Sequence, residues 1–96
     1  MRMMLQWTVP AVKGNKSVSD GSMAATIEAL QEKLQPEAAY YMAKDGKRAG
    51  MMVFDMTDPA QIPQIAEPLF QTYDAEVEFI PVMNADDLKR ALESVA

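Results

Sequence analysis

Few side chains in this sequence can do chemistry, and they are scattered. Trp7 offers a broad apolar face and a single indole donor. Tyr40, Tyr41 and Tyr73 supply hydroxyls, and Asp55 can orient a polar ligand, or serve as a base where burial raises its pKa. A pocket shaped by Trp7 and Tyr41 and reached by Asp55 would suit oxidation or isomerisation of an aromatic or enolisable compound without a cofactor. Each residue also has a plainer role. Trp7 follows Met3 and Leu5 on one strand face and can fill core or dimer space. Asp55 can stabilise a turn in DMTDP, where Asp58 is placed to cap the next helix. Tyr40 and Tyr41 have opposite strand parity, so a regular strand cannot send both into one pocket.

Other chemistries are bounded by what the chain lacks. With no His and no Cys, it holds no imidazole base, thiolate nucleophile, Ser-His-Asp arrangement or zinc-ligand cluster of its own. The four Gly are isolated, so no phosphate-cradling loop is expected. Glu76 and Glu78 share a strand face at a spacing a hard cation can use, but two such carboxylates also make an ordinary wet face; neither a metal nor a cofactor is expected. The nine Met, among them Met3, Met4, Met51, Met52 and Met56, are expected to pack.

Charge argues in the same direction. The net charge of -5 divides into +2 over residues 1–48 and -7 over residues 49–96. Only Lys44, Lys47 and Arg48 form a compact basic group, which fits a solvated hairpin tip better than a track for a nucleic-acid backbone. The start MRMMLQ lacks the apolar core of a secretory signal, and no stretch approaches the roughly 18 apolar residues of a membrane span. A cytoplasmic protein that binds neither nucleic acid nor membrane is the expectation.

The elements that would position these residues follow from periodicity. Met3, Leu5, Trp7 and Val9 alternate with Met4, Gln6 and Thr8 as a strand ended by Pro10. The stretch PAVKGNKSVSDGS, rich in Gly, Asn, Asp and Ser, predicts a long loop. Met23, Ile27, Leu30 and Leu34 then define a helical face, with Ser22 as N-cap and Pro36 as stop. Ala38–Ala43 and Ala49–Met56 read as strands joined by a KDGKR hairpin connection, with Gly46 free to take positive φ. Asp58-Pro59 signals a second helix carrying Ile62, Ile65, Ala66, Leu69, Phe70 and Tyr73, predicted to be bent or restarted near Pro63 and Pro68. Ala75–Met83 returns to a strand that Pro81 assigns to an edge or a bulge. Asn84 and Asp87 have capping spacing ahead of a terminal helix striped by Leu88, Leu92 and Val95.

Residues 1–96 thus read as a single domain of order β-α-β-β-α-β-α, an α+β ferredoxin-like βαββαβ sandwich with an antiparallel sheet and a C-terminal helix. Apolar residues occupy both faces of the strands, as in Met51 and Val53 against Met52 and Phe54. A chain this small with a two-sided apolar sheet predicts a homodimer.

The segments MMLQWTVP, YYMAKDGKRAGMMVFDMTDP and AEPLFQTYDAEVEFIPVM together resemble a small bacterial family of uncharacterised proteins in the dimeric α/β-barrel group. The resemblance spans Met3 to Met83 and implies a ferredoxin-like protomer whose sheet packs on that of a second copy. Broader relatives of that architecture include cofactor-independent monooxygenases and muconolactone-isomerase-like proteins, so the fold does not select a chemistry. Three readings follow: a homodimer that binds a small apolar molecule, with Trp7, Tyr41 and Asp55 as ligand-lining residues; a cofactor-independent monooxygenase or isomerase with Asp55 as proton acceptor; or a structural or regulatory interaction module. An enclosed cavity reached by Asp55 would favour chemistry. A filled interior and a wet Asp55 would favour packing or interaction.

Overall fold

The alternation in the first strand sets the architecture. In the computed structural model, which describes residues 1–95, β1 (Arg2–Val9) buries Met3, Leu5, Trp7 and Val9 and leaves Arg2, Met4, Gln6 and Thr8 only partly covered. It lies inside a four-stranded antiparallel sheet of order β2-β3-β1-β4, with β2 at Ala38–Lys44, β3 at Lys47–Asp55 and β4 at Glu76–Pro81. The helices are α1 (Ala11–Ser19), α2 (Ser22–Leu34), α3 (Gln61–Tyr73) and α4 (Ala85–Val95). This arrangement is α+β and compatible with a ferredoxin-like fold.

Register divides the sheet into two faces. Leu5 sits between Met52 and Phe79, and Met3 opposite Phe54, on the face covered by Met23, Ile27, Leu30 and Leu34 of α2 and by Ile65, Leu69 and Tyr73 of α3. The other face carries Met4 between Val53 and Ile80, and Gln6 between Met51 and Glu78; Tyr40 and Met42 of β2 pair with Met51 and Ala49 on this same face. We call it the open face.

One buried contact fixes the indole. Trp7 is paired with Gly50, and a Cβ at residue 50 would come within 2.3 Å of its ring, so only glycine lets the ring lie down on β3. Tyr41, the other partner of Gly50, stands beside it with ring centroids 6.2 Å apart.

Several sequence expectations need correction, among them the N-cap of α2, which is Gly21 at φ 80° with Ser22 already inside the helix. The predicted loop over PAVKGNKSVSDGS is instead helix α1 followed by a turn at Asp20-Gly21, which adds a helix to the predicted order. Its apolar residues Val12 and Val18 point to solvent, whereas Gly14 and Ser17 are buried, so an apolar-period rule finds nothing to follow. Its buried face is made of small residues that allow close approach: a Cβ at Gly14 would come within 2.9 Å of Arg48, which donates to Asn15 Oδ1 at 2.9 Å.

The predicted break in the second long helix is also absent, for α3 runs unbroken from Gln61 to Tyr73. Pro63 stands in the first turn, where N–H groups have no helical partner, and Pro68 forfeits a bond to Gln64 on the exposed side of the helix. Lastly, the hairpin strands extend to Lys44 and Lys47, leaving Asp45 and Gly46, at φ 53° and 74°, as a two-residue connection. Asp58 is not the cap of α3, whose N-cap is Ala60 with no side-chain bond; its carboxylate accepts the Ala60 N–H at 2.9 Å in the turn that leads into the helix, while Pro81 does lie on an edge strand.

The root of α4 is tied down, and its body is not. Asn84 and Asp87 exchange backbone-to-side-chain bonds at 2.8 and 3.1 Å, and Arg2 donates Nε to Glu37 at 2.6 Å and Nη1 to Asp87. No residue of α4 is buried, and the molecule extends over 52 × 27 × 17 Å.

Two outcomes follow. Gly50→Ala must displace the indole, and should lower the stability read from urea unfolding by about 1–3 kcal/mol while shifting Trp7 emission; an unchanged midpoint and spectrum would refute the contact. The Asn84 backbone N–H holds the Asp87 carboxyl below its ordinary pKa, and Arg2 and Arg90 act in the same direction. That contribution to anchoring α4 is complete above the usual carboxylate range of about 4 and disappears as pH falls through the lower folded value. Amide shifts of α4 should therefore hold steady from neutral pH to about pH 5 and move only in more acid solution.

Candidate functional site

Helices α2 and α3 lie side by side above Trp7 without closing on one another. Their inner walls come from helical spacing: Thr26, Ile27 and Leu30 on α2, and Ile65, Leu69 and Tyr73 on α3. Between them an outer groove of about 190 Å³ is lined mainly by Thr26, Ala29, Leu30, Ile65, Pro68 and Leu69, with Lys33 and Gln64 also in its wall. Beneath it, against Trp7 and Val9, is a void of only about 10 Å³ that shares Thr26, Leu30 and Leu69 with the groove. The sheet-helix interior is thus nearly filled, and the open space lies outside it.

One polar point interrupts these apolar walls. Tyr73 is 4% exposed and its hydroxyl lies within hydrogen-bond distance of both Thr26 Oγ1 and the Ser22 carbonyl oxygen, the latter at 3.3 Å. Since Tyr73 Oη donates to that carbonyl, Thr26 donates to Tyr73. Thr26 falls within the Met23–Ile27–Leu30 stripe, so a hydroxyl in an apolar face was the sequence signal for this pair, and periodicity alone passed over it.

The residues singled out from the sequence do not converge. Trp7 floors the inner void, and Tyr41 lies beside it on the same sheet face, accepting a 2.6 Å bond from Gln31 Nε2. Asp55 belongs to the opposite face, about 17 Å further along β3 from Gly50 at strand spacing. Its side chain is 77% exposed and accepts from the Met1 amine at 2.6 Å. None of the residues lining the groove or the void is acidic. As built, this space can hold an apolar molecule and offer it one hydroxyl contact, while proton abstraction would need a base from elsewhere.

Two smaller clefts are polar. Lys13, Lys16, Ser17, Asp20, Ser22 and Thr72 border a space of about 130 Å³, but Asp20 already accepts the Ser22 N–H at the start of α2. That N–H holds the Asp20 carboxyl below its ordinary pKa. Glu76 and Glu78 lie with Gln6, Thr8 and Lys44 at the polar end of the open face, where Glu76 accepts a 3.3 Å bond from Thr8. Among the described residues, no group of three or more acidic side chains is placed to hold a metal ion, and no helix is long and apolar enough to cross a membrane.

Fold and groove together define a small α+β protein with one sheet face covered by helices and an apolar groove between two of them. Residues 1–96 match the family described as "Domain of unknown function (DUF3303)", and the chain belongs to that family. No curated protein matches it.

The hydroxyl pair generates a double-mutant cycle. Tyr73→Phe and Thr26→Val should each cost about 1 kcal/mol of stability, and the double variant should cost about 1 kcal/mol less than their sum. Strict additivity in chemical denaturation would show that the two hydroxyls do not interact.

Proposed function

We propose that this chain works as a homodimer joined through its open sheet face, each protomer seating a small apolar molecule in the groove between α2 and α3. The observation that carries the reading is the open face itself. Met4, Met51, Val53 and Ile80 form an apolar surface on the side of the sheet away from the core, while α2 and α3 both pack on the other side. Sheets with one face bare are ordinarily polar there, so burial against a like face accounts for these side chains. Two such sheets packed together would give the dimeric α/β-barrel arrangement that the resemblance implies.

The groove supports the ligand part of the reading. Its walls are mainly apolar, its volume is on the scale of a benzene-sized molecule or an alkyl segment, and the hydroxyl of Thr26 in its wall meets that of Tyr73. The exposed, distant Asp55 gives the monooxygenase or isomerase reading no base at this groove.

Each half of the proposal has its own test. Sedimentation equilibrium should give twice the 10.6 kDa chain mass, and Met51→Asp should give the single-chain mass; a native chain that stays monomeric at every concentration would overturn the dimer. Because Trp7 is the only tryptophan and floors the void below the groove, bromobenzene should quench its emission saturably, and Ala29→Phe should remove the saturable part. Quenching that rises linearly without saturation in the native chain would sink the ligand site. Native mass spectrometry of protein taken from its own cells would then identify any retained molecule.

A further inference from the structure

Helix α4 and strand β2 are both left uncovered. α4 carries Ala85, Leu88 and Leu92 on one side, with Leu88 45% and Leu92 55% exposed. Eleven residues make a helix about 16 Å long, and one of that length in water is marginal unless its apolar side is packed. β2 is an edge strand with Tyr40 66%, Tyr41 47% and Met42 38% exposed. The opposite edge, β4, is blunted by Pro81 and flanked by Glu76 and Glu78; β2 has no such protection before Lys44.

We infer that α4 is an exchanged arm, which packs its Leu88/Leu92 stripe on the Tyr40/Met42 surface of β2 in a second copy of this chain. The inference rests on the homodimer proposed above. Three observations select that occupant. First, Arg2 and Asn84 hold the root of α4 through Asp87 while the helix body contributes no buried residue, so the stripe is left uncovered by its own domain. Second, area requires more than the sheets: with β2 given to the arm, three strands about 4.8 Å apart and roughly 20 Å long offer on the order of 300 Å² of face, well short of the ~800 Å² per partner in a standard interface. A two-fold axis uses each arm contact twice, so every protomer both gives an α4 and receives one. Third, the charges match in one direction. α4 has no basic residue in its last turn, and Glu93 lies in its distal half; both suit Lys44 and Lys47, which lie on the same face as Tyr40 and Met42 at the end of β2.

The absence of native Cys makes the geometry directly testable. Chains carrying Leu92→Cys and chains carrying Met42→Cys, mixed and oxidised, should form an intermolecular disulfide, whereas Val12→Cys on α1 mixed with Met42→Cys should not. Leu88→Glu with Leu92→Glu should weaken dimerisation at least about 30-fold while leaving the unfolding midpoint of the dilute monomer unchanged. A dimer that persists at native affinity in this double variant, or that fails to cross-link Leu92→Cys to Met42→Cys, would overturn the arm while leaving the sheet-face dimer standing. A cross-link formed only within one chain carrying both cysteines would overturn it in favour of α4 folding back on its own sheet. A native chain that never dimerises would overturn the arm and the dimer together.

Discussion

The contact between Trp7 and the bare backbone of Gly50 determines how everything above the sheet is arranged. With no side chain at residue 50, the indole lies on β3, occupying sheet area that a second large residue would otherwise claim. Tyr41 then stands against its edge, and the turns of α2 and α3 nearest the ring are the ones that carry Ile27, Leu30, Leu69 and Tyr73. The groove is the space left outside that packing. A chain with two small residues paired here would let the helices descend and close it; a chain with two large ones would lift them away from the core.

Much of this was legible in the sequence because periodicity and burial coincide in most elements. The alternating residues of β1 and the stripe from Met23 to Leu34 face the core as their spacing predicts, and the Asn84/Asp87 spacing does close a capping box. The failures have a common physical origin. In α1 the buried positions are Gly14 and Ser17, whose value lies in being small, and hydrophobicity does not register smallness. In α3 the prolines fall where the lost hydrogen bonds face water or belong to the first turn, a distinction only the burial of the helix makes visible. Trp7 and Tyr41 were recognisable as neighbours in a ladder once Gly50 is known to lie between them. Register decides that, and a single sequence does not state register.

The two sheet faces divide the labour between fold and interaction. The covered face holds Phe54, Leu5 and Met52, which with Ile65 of α3 are the largest fully buried side chains of the core. The open face grades along β1 and β4 from Met4 and Ile80 to Gln6, Thr8, Glu76 and Glu78, while Met42 and Ala49 keep β2 and β3 apolar beside that polar end. Such a gradient orients a partner as well as attracting it, because sliding along the strands sets carboxylates against apolar surface. Arg2 sits at the apolar end and spends its guanidinium on Glu37 and Asp87, so the one cation of β1 is neutralised beside the surface it would otherwise charge.

Pro81 has a bearing on colloidal behaviour as well as on strand assignment. Val82 donates its N–H inward to Arg2, so the alternation along an antiparallel strand turns the nitrogen of residue 81 outward, where proline has no hydrogen to give. The two rims of the sheet are therefore chemically unequal: a strand arriving from solution meets a full row of donors and acceptors at β2 and an interrupted one at β4. Chains that met rim to rim through β2 would present Pro81 at both new ends, which discourages propagation into an open fibre and leaves a finite pair as the natural stopping point.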